Sequence, residues 1–467
     1  MKKILLLLLL LVSGVSIAQT GYWTPLINQS NNFNAGLMLL LSDGSVIVPT
    51  NTGLVGKTWQ KLTPDSTGSY VNGSWTDIAP MNDSRLDFGS QVLMDGRVFV
   101  AGGEYGTGKV SAEIYDPVLN TWTYTPTPVF HVMDSLMDCN TEILPDGKVL
   151  ISVAKIGTVY NGDSTVIYDP VSNTYTQGPN CLQLHDESTW VKLADASILM
   201  PDDNGYTLTS ERYIPSLNQW VADNNGPAPL FGVNDNEIGG GLLLPDRRAF
   251  ILGGSGNTAY YVPTGNNTAG SWTAGPPIPM GCGAIDATVS MMANGKMLLA
   301  ASPISLPSVE YRDTTVYFEF DYTSNTYTQI TRPDGGGDTS ILPCFVTNSL
   351  NLPDGTILFC QRSTQYYVYT PAGSPLASGK PTVSNVTMLT CSSFQANGTL
   401  FNGISEGSSY GDDAQMATNY PIIQLTNNGN VYYARSHNWN STGVQRGSLA
   451  DSVLFDVPAN LPDSALP

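Results

Sequence analysis

Seven times along the chain an apolar run breaks at a tight turn and then resumes. The copies are Leu41-Ser42-Asp43-Gly44-Ser45-Val46, Leu93-Met94-Asp95-Gly96-Arg97-Val98, Leu144-Pro145-Asp146-Gly147-Lys148-Val149, Leu193-Ala194-Asp195-Ala196-Ser197-Ile198, Leu244-Pro245-Asp246-Arg247-Arg248-Ala249, Met292-Ala293-Asn294-Gly295-Lys296-Met297 and Leu352-Pro353-Asp354-Gly355-Thr356-Ile357. Their turn residues recur after 52, 51, 49, 51, 48 and 60 positions. Asp-Gly and Asn-Gly accept the positive φ angles of hairpin turns. A hairpin that returns about every 50 residues predicts a β-propeller, with one small antiparallel sheet per blade.

A second signal runs in phase with the first. An aromatic residue followed by Thr or Val recurs at Trp23, Trp75, Trp122, Tyr175, Trp220, Trp272 and Tyr327. This series begins before the first turn and ends before the last blade closes. Gly21-Tyr22-Trp23-Thr24 is therefore expected to supply the outermost strand of the seventh blade and leave no open edge at the seam. The rhythm changes after Thr370-Pro371-Ala372-Gly373-Ser374-Pro375. The expected fold is all-β: a seven-bladed propeller over residues 19–376, then a small immunoglobulin-like β-sandwich over 379–467. Little chain follows Val453-Leu454-Phe455-Asp456-Val457, so a final strand of the sandwich is expected to be short or absent, with the domain truncated or finished by a partner.

Residues 1–18 read as a cleavable signal peptide, with Lys2 and Lys3 at its start, a short apolar run, and Ser16-Ile17-Ala18 as the cleavage site. A secreted or periplasmic protein is expected, with no membrane span. The 39 acidic against 20 basic residues give a net charge of −19, which repels phosphate backbones and argues against nucleic acid. Six cysteines would meet an oxidising compartment. Their spacing fits no metal motif and leaves both disulfides and buried free thiols open.

The paired signals resemble kelch repeats, and among these the galactose-oxidase-like propellers, over roughly residues 20–372. Ile422-Ile423-Gln424-Leu425, then Ser436-His437-Asn438-Trp439-Asn440 and Gln445-Arg446, resemble the C-terminal domain of the same family. That resemblance implies a loop, here carrying His437, that enters the propeller mouth. It also implies copper held by two tyrosines and two histidines, with one tyrosine cross-linked to a cysteine. The propeller-borne members sit at or near the position eight residues before the turn Asp. Here that position is Ala35, Asp87, Asp138, Glu187, Ile238, Asp286 and Val346. Phe345-Val346 stand where the family has Tyr-His, Asp87 (after a matching Arg85) where it has the second tyrosine, and Ala35-Gly36-Leu37 where it has the cysteine. Copper is therefore not expected, because Cu(II) asks for several N and O ligands together.

Four mouth positions are acidic: Asp87, Asp138, Glu187 and Asp286. If they converge, they share a cation, with calcium the candidate, or raise one another's pKa and serve as acid and base. They could equally cap backbone amides or line a wet rim. His185 begins the fourth inner strand beside Asp186 and Glu187, and is a candidate for the mouth; His131 reads as a loop or packing residue. Trp190 and Trp439 lie near these sites as sugar platforms or packing, and Trp59 is expected in a loop. Gly102-Gly103 and Gly253-Gly254 read as close-packing glycines.

The expected ligand-binding set is Asp87, Asp138, His185, Glu187, Asp286 and His437. The expected function is binding of a carbohydrate or protein ligand at an acidic channel mouth. The alternative is an enzyme on the same scaffold, either an oxidase with a rebuilt metal site or a carboxylate-based glycoside hydrolase or lyase.

Overall fold

The computed structural model describes residues 19–34, 36–51, 53–128, 134–156, 159–202, 207–232, 237–407, 409–411, 414–415 and 419–462. The expected signal peptide, Ala35 and His131 lie outside them.

Seven antiparallel sheets share one four-strand plan. In the second, Gly89–Val92 is innermost, followed by Val98–Ala101, Ala112–Asp116 and Thr121–Tyr124. The chain is a seven-bladed β-propeller. Each inner strand ends at one of the seven turns, where the positive φ falls on Gly44, Gly96, Gly147, Ala196, Arg247, Gly295 and Gly355. In each turn the Asp or Asn side chain accepts the amide two residues on, as Asp43 does from Ser45. That bond tolerates Ala196 and Arg247 where glycine would be unstrained.

All seven aromatic residues of the second signal occupy the second position of an outermost strand. Trp122 packs, tilted, at 5.0 Å from Tyr115 of its neighbouring strand, and Tyr175 at 4.7 Å from Tyr168. The seam closes in the same way. Tyr22–Pro25 pairs with Tyr367–Thr370, with Trp23 opposite Tyr369 and their rings 4.6 Å apart. Trp59, expected in a loop, lies instead in the strand Trp59–Thr63, buried against Phe88 and Trp122. Gly102 packs so closely that a Cβ there would meet the Leu136 carbonyl oxygen at 1.7 Å. All six cysteines are free thiols, five buried and Cys391 exposed.

Beyond the propeller, five strands form one sheet in the order Thr382–Met388, Ser393–Thr399, Asp451–Asp456, Asn430–His437, Ile423–Asn427. Asn430–His437 pairs with Ile423–Asn427 through its first half and with Asp451–Asp456 through Arg435–His437. The segment around Val453–Val457 therefore supplies the middle strand. Phe394 and Phe455 stack at 5.5 Å in its core.

Candidate functional site

Each inner strand runs from a mouth position to a turn, so the propeller has a mouth face and a turn face. The C-terminal region packs on the turn face. Ser436 N donates to Ser42 O at 3.2 Å, Asn438 N to Met94 O at 2.5 Å and Thr442 Oγ1 to Leu144 O at 3.0 Å. Tyr420 Oη donates to Leu40 O and Gln445 Nε2 to Leu244 O. All five acceptors lie at or just before a turn.

This placement corrects the expectation for His437. It sits beside the Met94–Asp95 turn, with Nε2 3.3 Å from Asp456 Oδ2. The mouth lies at the other end of the inner strands, a span of about 20 Å for the intervening residues at 3.3 Å each. Burial, chiefly, and then the Arg435 charge hold its pKa below the ordinary histidine value. The segment that runs along the inner strands is an earlier one, seen at 405–407 and 409–411. Glu406 N donates to Leu243 O at 3.2 Å, Gly241 of the fifth inner strand pairs with Ser409, and Gly411 N donates to Ser188 O at 2.9 Å. At Gly411 (φ 45°) a Cβ would come within 2.6 Å of the Glu187 Cα, so the segment reaches the mouth.

Toward the turn-side end of this segment Lys192 Nζ lies 2.8 Å from Glu142 Oε1 and 2.9 Å from Glu406 Oε1. All three groups are buried. One ammonium balances one carboxylate, so the surplus acid favours its neutral form. Burial, opposed by Lys192, raises the pKa of Glu406 to about 8.

At the mouth, Asp87, Asp138, Glu187 and Asp286 share one backbone state, with φ of 50°, 56°, 49° and 48°. Left-handed geometry is uncommon for residues with a Cβ, and Asp tolerates it better than most. Hydrogen bonds between neighbours fix the ring: Glu187 N to Asp138 O at 3.2 Å, Asp286 N to Ile238 O at 2.9 Å and Glu104 N to Asp87 O at 3.0 Å. Carboxylate oxygens of Glu104, Asp138 and Glu187 come within 4.8 Å of one another.

Two tyrosines face this charge. Tyr105, 48% exposed, donates to Glu104, and that bond, then burial and the charges of Glu104, Asp87 and Glu187, raises its pKa. Tyr311 donates to Asp286 and packs with its ring tilted, 4.5 Å from that of Phe345; burial, then Asp286, Glu237 and Glu187, raises its pKa.

Glu104, Tyr105 and Tyr311 were not singled out in the sequence. A positional signal exists for the first two. The second strand of each blade returns to the mouth face, so the residues after Gly102-Gly103 must lie there.

His185 does not join the mouth. It is 1% exposed, with Nε2 3.0 Å from Glu211 Oε1 and Nδ1 accepting from Trp190 Nε1 at 3.1 Å. Indole N–H only donates, so Nδ1 is the acceptor and Nε2 carries the hydrogen toward Glu211. Cys181 Sγ lies 3.6 Å from Nδ1, which mimics a nucleophile–base pair. The Nδ1 lone pair already holds the indole hydrogen, and burial pushes the thiol well up, so this group is structural. Trp190 is buried in the same cluster, and Trp439 is buried and stacked on Tyr420 at 5.3 Å. Neither offers a face to a sugar. Arg85 is buried too, spent on Gly102 O, Gly108 O, Ser111 and Glu113.

No helix among the described residues is long and apolar enough to cross a membrane. The Kelch motif model matches residues 92–128, the second blade from its inner strand to its outer one. Kelch-like protein 36 of Mus musculus is 25% identical over 246 residues, covering 46% of this chain and 35% of that protein; the Rattus norvegicus protein gives the same values. The chain thus spans about a third of the length of these curated relatives. Among solved structures, a fungal alcohol oxidase of the AA5 family, in complex with copper, superimposes with a TM-score of 0.59 at 14% identity, covering 94% of this chain and all of that one. The fold, the repeat and the motif agree: the chain is a β-propeller that carries a Kelch motif and shares the fold of that oxidase.

Proposed function

We propose that this is an exported binding protein whose acidic mouth takes a polar ligand, a carbohydrate bridged by a hard cation such as Ca²⁺, and that the copper-radical chemistry of the scaffold is absent. The observation that carries the reading is the approach of Glu104, Asp138 and Glu187 oxygens to within 4.8 Å of one another. Ca²⁺ takes six to eight oxygen ligands at about 2.3–2.6 Å, so carboxylates at this spacing suit one shared ion. The remaining ligand positions would go to water or sugar hydroxyls, and the exposed Tyr105 ring stands beside them as a stacking face.

The donor set does not suit copper. Among the described residues the mouth offers carboxylates and phenols but no imidazole, because His185 is spent in the core and His437 lies on the turn face. The side chains of Phe345 and Val346 carry no ligand atom.

Melting curves with and without Ca²⁺, and a glycan screen under both conditions, test the reading. A ligand that binds only the folded state raises Tm by mass action. Ca²⁺ should raise Tm in the wild type and much less in Glu104→Gln. A curve that neither Ca²⁺ nor any glycan moves would mean a solvated rim.

A further inference from the structure

The strand Thr382–Met388 lies at the end of the five-stranded sheet and pairs only with Ser393–Thr399 among the described residues. Every one of its seven residues is exposed. A shift in register between Val383 and Asn385 leaves Val383 opposite Gly398, Val386 opposite Ala396 and Met388 opposite Phe394. Gly398, Ala396 and Phe394 are the buried side of their strand. Val383, Val386 and Met388 therefore extend the apolar face of the core, yet are 61%, 42% and 58% exposed, with Leu389 at 50%. An exposed, apolar edge strand is a template for pairing, and proteins ordinarily blunt such edges with charge. This one carries none: residues 381–405 hold no Asp, Glu, Lys or Arg in a chain of net charge −19.

The sequence of the strand says what would cover it. Thr382-Val383-Ser384-Asn385-Val386-Thr387 reads nearly the same in both directions. Antiparallel pairing with a second copy, about an axis between Ser384 and Asn385, sets Thr382 against Thr387 and Val383 against Val386. Both valines lie on the core side, and both threonines on the other side, opposite Thr399 and Gln395. The register shift falls on the axis and is repeated by symmetry. Like pairs of β-branched residues and of threonines suit facing positions in a sheet. Charge points the same way. Two copies of so acidic a chain repel over most of their surface, and contact is cheapest where charge is missing.

We propose that the chain forms a twofold dimer through this edge, joining two five-stranded sheets into one of ten strands. The test is sedimentation of the purified chain over a concentration series, with Val386→Lys and Thr387→Lys as separate variants. Val171→Lys, at a 95% exposed site on a propeller hairpin, is the control. The wild type and the control should sediment at twice the chain mass, and both edge variants at the chain mass while still melting cooperatively, at a Tm that no longer depends on protein concentration. The register is tested in a Cys391→Ser background by mixing a Thr382→Cys protein with a Thr387→Cys protein. Facing residues in an antiparallel pair stand at about 4.5–5.5 Å between Cα atoms, within disulfide reach. Mild oxidation should link the mixture and leave either protein alone unlinked. A wild type that stays monomeric throughout the series overturns the proposal. So does a dimer indifferent to both edge variants, or linking of Thr382→Cys to itself.

Discussion

His185 Nε2 lies 3.0 Å from Glu211 Oε1, and Arg85 lies at the same distance, 3.0 Å, from Glu113 Oε1. The two pairs are equivalent. His185 and Arg85 each stand two residues before a mouth acid, Glu187 and Asp87. Each buried glutamate also accepts amides from the loop ahead of that acid: Glu113 from Asn82 and Asp83, Glu211 from Leu182 and Gln183. These glutamates hold the loops that set the left-handed acids. His185 is thus a positioning residue, and His185→Ala should remove about 2–4 kcal/mol of stability by opening a cavity, leaving the buried Trp190 Nε1 unpaired and taking one donor from Glu211. Urea unfolding measures this. A variant as stable as the wild type would contradict the assignment.

Closure of the ring rests on Trp23. Its ring packs on Tyr369 and Phe359, at 4.6 and 5.0 Å, and its Nε1 donates to Thr331 O at 2.8 Å. Trp23→Ala should cost about 2–3 kcal/mol, and deletion of residues 19–26 more, because it also bares the edge of Tyr367–Thr370. Thermal melting of both variants is the check, and an unchanged Tm in the deletion would refute the closure.

The turn face offers the opposite effect. Ala196 holds φ 66° where most copies have glycine. Ala196→Gly should stabilise by about 0.5–1 kcal/mol, the relief of left-handed strain less the greater unfolded-state freedom of glycine. Denaturant midpoints decide it.

The buried Glu142–Lys192–Glu406 group gives a pH dependence of known sign. Glu406 has a folded pKa raised from 4.5 to about 8, so folding favours its protonated form. Its contribution is fully present below pH ~4.5 and is lost as pH rises toward about 8, on the order of a few kcal/mol. Glu406→Gln cannot lose a proton there. Relative to the wild type, it should gain stability between pH 5 and 9. Urea midpoints at those two values that move in parallel would contradict this.

How much of this was legible in the sequence follows from what each signal depends on. The turns and the aromatic series depend on neighbours within one hairpin, so both could be read, down to the seam strand at Trp23. The mouth acids were readable by position, because one repeat position maps to one ring. Glu104 and Tyr105 were missed although the next strand returns to that ring. His185 and His437 misled for a different reason. A histidine beside two acids looks the same whether it points to the channel or to a neighbouring Trp190, and only packing separates the two. The segment along the inner strands at Glu406–Gly411 bears no histidine, so a search keyed to a ligand motif passed over it for Ser436-His437-Asn438.

The most direct test of the central claim is calorimetric titration of Ca²⁺ into the wild type and into Asp138→Asn and Glu187→Gln, with Cu(II) as the competing ion. An oxygen-donor mouth predicts one saturable Ca²⁺ site in the wild type, weakened at least tenfold in each variant (about 1.4 kcal/mol or more), and no radical signal in the spin-resonance spectrum after Cu(II) is added. Ca²⁺ heats that do not saturate, together with stoichiometric Cu(II) and a tyrosyl radical, would contradict it.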